Sequence, residues 1–180
     1  MGFLLLSGGA YTPVNTQKAV AESEYTVTLT AYNAVPEQTD GNPFETASGA
    51  YSNPEVVAAR SRDFADELPF GTIIELEGSN ISSGNTCGYS VVAPRIGYRV
   101  IADTMNARYT NRIDVLFHTK ADYTTTDKGM KNTAQVLGIC KGATIRVVGY
   151  VDIKNPNRLP KTQKELVALI NSNENALALK

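Results

Sequence analysis

Arg99-Val100-Ile101-Ala102-Asp103-Thr104-Met105-Asn106-Ala107-Arg108-Tyr109-Thr110-Asn111-Arg112-Ile113-Asp114-Val115-Leu116-Phe117 is the stretch that decides how this chain reads. In its second half Ile113, Val115 and Phe117 alternate with Arg112, Asp114 and Leu116, the period of a strand with one buried face. Asp114 therefore points away from the apolar face. Upstream, residues 97–103 read as a strand ending at Asp103, where the chain enters a polar loop. Two strands joined by such a loop can bring both carboxylates into one cleft. Apolar neighbours would then desolvate the Asp114 carboxyl, raise its pKa and keep it protonated. The other reading makes Asp114 a structural partner of Arg112 or Arg99, stapling the sheet. Both stay open at this level.

Outward from this stretch the pattern is mainly β. Thr26-Val27-Thr28-Leu29-Thr30-Ala31-Tyr32 alternates strictly, with Val27, Leu29 and Ala31 on one face and threonines on the other. Residues 72–77 and 143–151 read as further strands, separated by turn-forming clusters such as Gly78-Ser79-Asn80 and Ser82-Ser83-Gly84-Asn85. Short helices are expected over residues 61–67 and 128–137. No internal repeat is visible. Many short strands with few helices imply a closed barrel, since closure removes exposed edges. The pattern does not choose which barrel.

Composition narrows the function. The 180 residues are 42% hydrophobic and 19% charged, enough for one domain with a substantial core. Seventeen basic against eighteen acidic residues give a net charge of −1, without the basic excess that nucleic acid or an anionic membrane would need. No run approaches the roughly 18 apolar residues of a membrane span. One histidine and two cysteines exclude zinc fingers, zinc ribbons and His-rich metal clusters. No phosphate-binding glycine loop and no Ser-His-Asp context occurs, so neither cofactor nor metal is implied. His118, directly after a strand, reads as a structural or exposed histidine. Cys87 and Cys140 fit either one disulfide, which would favour export, or two buried thiols.

The ends lie outside the barrel pattern. Residues 1–25 form an N-terminal tail that reads either as a mildly apolar segment or as the remnant of a signal peptide. Ala19-Val20-Ala21 before Glu22 fits small-x-small cleavage, and no basic residue precedes Lys18. The barrel domain is expected over residues 26–152. Asn155-Pro156-Asn157-Arg158-Leu159-Pro160 then reads as a linker, and Thr162 with Glu165 makes a capping box for a short C-terminal helix.

The quoted stretch resembles the signature of the three-aspartate (3D) domain family, a six-stranded double-psi β-barrel similar to membrane-bound lytic transglycosylase A and the stationary-phase muralytic proteins. Ala102-Asp103-Thr104 and Asn111-Arg112-Ile113-Asp114-Val115-Leu116-Phe117 carry the resemblance, with the family's aspartate separation (114 − 103 = 11). Thr30-Ala31-Tyr32, Thr46-Ala47-Ser48-Gly49 and Leu68-Pro69-Phe70-Gly71-Thr72 agree in the family's order. The resemblance spans roughly residues 26–150. It implies a lytic transglycosylase of peptidoglycan that leaves 1,6-anhydro-muramic acid ends. Its partner would be glycan strands, and it would act as an exported, monomeric enzyme of the cell envelope.

In that scheme Asp114 is the catalytic acid and Asp103 orients substrate or stabilises developing positive charge. Thr46 would hydrogen-bond a sugar or the acid, and Tyr32 would stack on a sugar ring or be a buried barrel tyrosine. Arg112 and Asp40 are further substrate-binding candidates, Asp40 reading equally as a turn former. The sequence departs from the family twice. The usual Gly-Gly-x-Ile-Lys-Gly loop is here Met105-Asn106-Ala107-Arg108-Tyr109-Thr110, bulky enough to reshape the sugar subsites. The third aspartate falls in a longer, expectedly helical stretch from Val57 to Glu67, where Asp63 and Asp66 are candidates but neither aligns without a gap. The same barrel occurs in expansin-like proteins that bind polysaccharide without cutting it, which is the alternative function.

Overall fold

The computed structural model describes residues 23–39, 41–81, 87–120, 122–125, 129–155 and 158–178. Six strands close a mixed barrel: β1 (Glu24–Asn33), β2 (Val57–Arg60), β3 (Thr72–Glu77), β4 (Arg99–Thr104), β5 (Arg112–Phe117) and β8 (Cys140–Tyr150). Around the barrel they run β1-β5-β2-β4-β3-β8, and β8 pairs back to β1. The β1/β5 and β2/β4 pairs are parallel, and the others antiparallel. Exchanging β1, β2 and β3 for β4, β5 and β8 leaves this pairing map unchanged, so the closed barrel has a two-fold pattern. Among the described residues three helices lie outside the barrel: α1 (Tyr89–Ile96), α2 (Thr133–Leu137) and α3 (Gln163–Ala178). A small hairpin of β6 (Asp122–Thr125) and β7 (Gly129–Asn132) precedes α2.

Two apolar clusters hold the fold. One draws alternate residues from all six barrel strands, including Leu29, Ala58, Ile74, Ile101, Val115 and Ile145, and so fills the interior. The other lies on the outer face of β2, β4 and β5, where Val57, Val100 and Leu116 meet Ile153, Leu159, Leu166 and Ile170. Leu166 and Ile170 are one turn apart on α3, so the C-terminal helix packs by one stripe against the outside of the barrel. The Glu165 amide donates to Thr162 Oγ1 at 3.2 Å, while the Glu165 carboxylate accepts from the Lys161 amide at 2.7 Å. The expected cap is present, with its return bond one residue further out.

Local expectations need three corrections. The stretch from Val57 to Glu67 is not one helix: Val57–Arg60 is a central barrel strand, and a single 3₁₀ turn, Arg62–Phe64, follows. All four residues of β2 are buried, so no period-2 signal marked them. Residues 128–137 are likewise not one helix, since β7 occupies Gly129–Asn132 and only Thr133–Leu137 is helical; Lys128 lies outside the described residues. Helix α1 was not expected, and it carries Pro94 inside it.

The Pro69-Phe70-Gly71-Thr72 turn shows why glycine is needed there. Gly71 has φ 94°, donates its amide to Ile101 O at 2.8 Å and accepts from the Val151 amide at 2.8 Å. A Cβ at this position would collide with the Val151 carbonyl oxygen. Gly71→Ala is expected to destabilise the barrel by about 2–4 kcal/mol, combining left-handed strain with the clash. Urea denaturation of the two proteins checks it.

Candidate active site

Four residues line up across the outer face of the barrel. Thr30 on β1 is registered with Asp114 on β5, Asp114 with Ala59 on β2, and Ala59 with Asp103 on β4. The last pairing depends on a bulge. Ala58 opposes Ile101, yet the next residue, Ala59, opposes Asp103, so Ala102 is the extra residue. Without it, alternation would give Ala102 to Ala59 and turn Asp103 toward the barrel interior. The bulge therefore places both carboxylates on one face, with their backbones two strands apart, roughly 10 Å. Ala59 between them has the smallest side chain that still forms a floor.

Asp114 sits at the drier end of this row. Thr30 Oγ1 donates to its Oδ1 at 2.9 Å. Burial pushes its carboxyl up to about 6, and the nearby Asp103 charge adds to the rise; the Thr30 hydrogen bond and the positive Arg112 oppose it. Among the described residues no ion pair joins Asp114 to an arginine. Arg99 is engaged elsewhere: its buried guanidinium donates to the carbonyls of Ile96, Pro54, Leu116 and Arg95. Arg112 stacks instead on Tyr109, its guanidinium carbon 4.9 Å from the ring centroid. The stapling role left open by the sequence is not what the geometry supports.

Asp103 is held by three donors. Tyr32 Oη donates to Oδ2 at 2.8 Å, and the amides of Ala47 and Thr104 donate to Oδ1 at 2.9 and 2.8 Å. Tyr32 is only 8% exposed, too buried to offer its ring to a sugar. Burial and its bond to the Asp103 carboxylate raise the phenol well above its ordinary value, so it remains a donor. Tyr32 positions the Asp103 carboxylate. Tyr32→Phe is expected to cost about 1–3 kcal/mol of stability, because the carboxylate loses one of its three donors. An unchanged melting temperature would mean that the two backbone amides suffice.

Asp103 and Asp114 open into one groove of about 570 Å³, lined also by Tyr32, Thr46, Ala47 and Ala59. Thr46 is within the lining, but its hydroxyl serves the loop, donating to Ala50 O at 3.0 Å and sharing a hydrogen bond with Ser48 Oγ. It is not bonded to Asp114. Sequence reasoning missed Glu37, Glu45, Arg108 and Tyr109, which also line the groove. Arg108 and Tyr109 were visible as the departure from the family loop. Glu37 lies in a 3₁₀ turn, Pro36–Gln38, and Glu45 in a loop, neither with a pattern to single it out.

The remaining candidates fall elsewhere. Asp63 accepts from the Asn111 amide at 2.8 Å and supports the β4–β5 loop, where Asn111 adopts φ 51°. Burial pushes its carboxyl up, but hydrogen bonds from Ser61 and the backbone amides, together with the positive Arg60, outweigh it and leave its pKa lowered. Asp66 is exposed and not part of the groove lining, and Asp40 lies outside the described residues. His118 is exposed outside the groove. Cys87, just before α1, is joined to Cys140, the first residue of β8, by a disulfide with Cα atoms 5.1 Å apart. Among the described residues no group of three or more His, Cys, Asp or Glu is placed to hold a metal ion. No helix among them is long and apolar enough to cross a membrane. Compared with known proteins, the chain matches no family model, and no curated protein matches it.

Proposed function

We propose that this chain is a lytic transglycosylase of the three-aspartate, double-psi barrel type, cleaving the bond between N-acetylmuramic acid and N-acetylglucosamine in peptidoglycan. The carrying observation is the Asp114 carboxyl, raised to about 6 in an open groove that it shares with a firmly oriented Asp103. At pH 7 a carboxyl with that pKa is about a hundredfold more often protonated than one at 3.8, which makes it a usable acid.

Protonated Asp114 gives its proton to the glycosidic oxygen, and the bond from that oxygen to C1 of the muramic sugar breaks. The sugar's own C6 hydroxyl attacks C1 and returns its proton to Asp114. The acid is restored, a 1,6-anhydro ring closes and no water is consumed. The Asp103 side chain, oriented by its three donors, faces the positive charge that develops at C1 and stabilises it. One carboxyl suffices as acid and then base, unlike hydrolysis, which uses two at a set separation. The Cys87–Cys140 disulfide favours an oxidising compartment and so supports action in the cell envelope.

Digestion of purified sacculi followed by mass analysis tests the proposal. Muropeptides with anhydro ends are expected. Reducing ends would mean a hydrolase. Retention on sacculi without release of fragments would mean an expansin-like binding module.

A further inference from the structure

Two arginines share one aromatic ring at the groove edge. The guanidinium carbons of Arg108 and Arg112 lie 4.8 and 4.9 Å from the centroid of Tyr109, and Arg108 Nη2 donates to the Tyr109 hydroxyl at 2.9 Å. Arg108 and Tyr109 line the same groove as Asp114. Among the described residues neither guanidinium is within ion-pair distance of a carboxylate; the acidic side chains that do pair meet Arg146 and Arg158. The ring face attracts each cation, and the nearby carboxylates of Asp114, Glu37 and Glu45 stay beyond ion-pair distance of both guanidiniums. The cluster is also held in place, because Asp63 anchors the Asn111 amide next to Arg112. A pair of planar, five-donor cations with no ion-pair partner beside the groove suits a carboxylate, which each guanidinium can grip with two parallel hydrogen bonds.

Building on the glycan-cleavage reading, we infer that Arg108, Tyr109 and Arg112 form a subsite for a carboxylate on the acidic peptide branch that peptidoglycan carries on its muramic sugars. The groove then holds the sugars over Asp114 and Asp103 while the arginine pair holds the peptide. Strands bearing peptide are engaged ahead of bare glycan.

Binding to intact sacculi is compared with binding to sacculi whose peptide carboxylates have been converted to amides with a carbodiimide and ammonia, for the full chain and for Arg108→Gln, Arg112→Gln and Arg108→Lys. The unaltered chain should bind intact sacculi about 10- to 100-fold more tightly than amidated ones, the range for hydrogen bonds to a charged partner. Either glutamine variant should lose that difference, and Arg108→Lys should keep part of it. Arg108 is exposed, so its variant carries the test even if Arg112→Gln folds poorly. Equal binding to both materials by the unaltered chain overturns the subsite, as does parallel weakening on both by Arg108→Gln. Anhydro ends are scored on the same samples: their absence with discrimination retained would defeat the cleavage reading and leave the anion subsite standing.

Discussion

Asp114→Asn is expected to abolish glycan cleavage and, at about pH 8, to make the fold more stable. Loss of the transferable proton should lower muralytic activity by about 10²–10⁴-fold, the usual contribution of a general acid. Binding to sacculi should persist, since the amide keeps the size of the carboxyl and still accepts the Thr30 hydroxyl. The stability effect follows from the folded pKa of about 6 against an ordinary 3.8. The native state holds this proton more tightly than the unfolded chain. As pH rises from about 4 to 6 the unfolded chain loses its proton first, so stability falls across that window and stays lower above it. Two pKa units correspond to roughly 3 kcal/mol, and solvent in the open groove reduces the expected difference to about 1–3 kcal/mol. The neutral asparagine removes that dependence. Urea denaturation at about pH 4 and pH 8 reads both proteins. A variant that is less stable than the parent at both pH values would make Asp114 a structural residue and sink the catalytic assignment.

Reduction of the Cys87–Cys140 disulfide should produce the largest loss of stability. The bridge closes a loop with a sequence separation of 53 residues, and that loop contains β4 and β5 with both groove carboxylates, Asp103 and Asp114. Freeing such a loop in the unfolded chain costs the native state about 4 kcal/mol in the chain-entropy account. For a domain of this size that corresponds to a fall in melting temperature of roughly 10–15 °C. Thermal scans with and without reductant, repeated on a Cys87→Ser/Cys140→Ser double variant, measure it. Coincident melting curves would show that the bridge does not constrain the unfolded chain. Neither cysteine lines the groove, so activity below the lowered melting point should survive reduction.

Part of the site was legible before any tertiary contact was known. The alternation along 112–117 set Asp114 opposite Ile113 and Val115, and the structure keeps that opposition: the two apolar residues are buried in the barrel interior and Asp114 faces the groove. The same alternation placed Thr30 on the polar side of β1, where it meets Asp114. Of the two readings of Tyr32, the structure matches the buried barrel tyrosine, set against Asp103, and Asp63 bonds the Asn111 amide outside the groove lining. The surrounding packing, which a short motif does not contain, decides both.

What the sequence determines by itself is therefore whatever depends on near neighbours. Period-2 alternation sets the faces of β1 and β5, and the Thr162–Glu165 spacing caps α3. Gly71 supplies the left-handed turn. Tertiary structure decided the rest. Val57-Ala58-Ala59-Arg60 became a strand because β4 and β5 flank it on both edges and its two faces meet different apolar clusters, which erases any local signal. Asp103 joined Asp114 because β2 accommodates the bulge at Ala102, a register choice made between strands more than forty residues apart. The raised pKa of Asp114 likewise exists only once the folded barrel has removed water from around its carboxyl. Alternation is a local property of the chain, whereas register and desolvation belong to the assembled sheet.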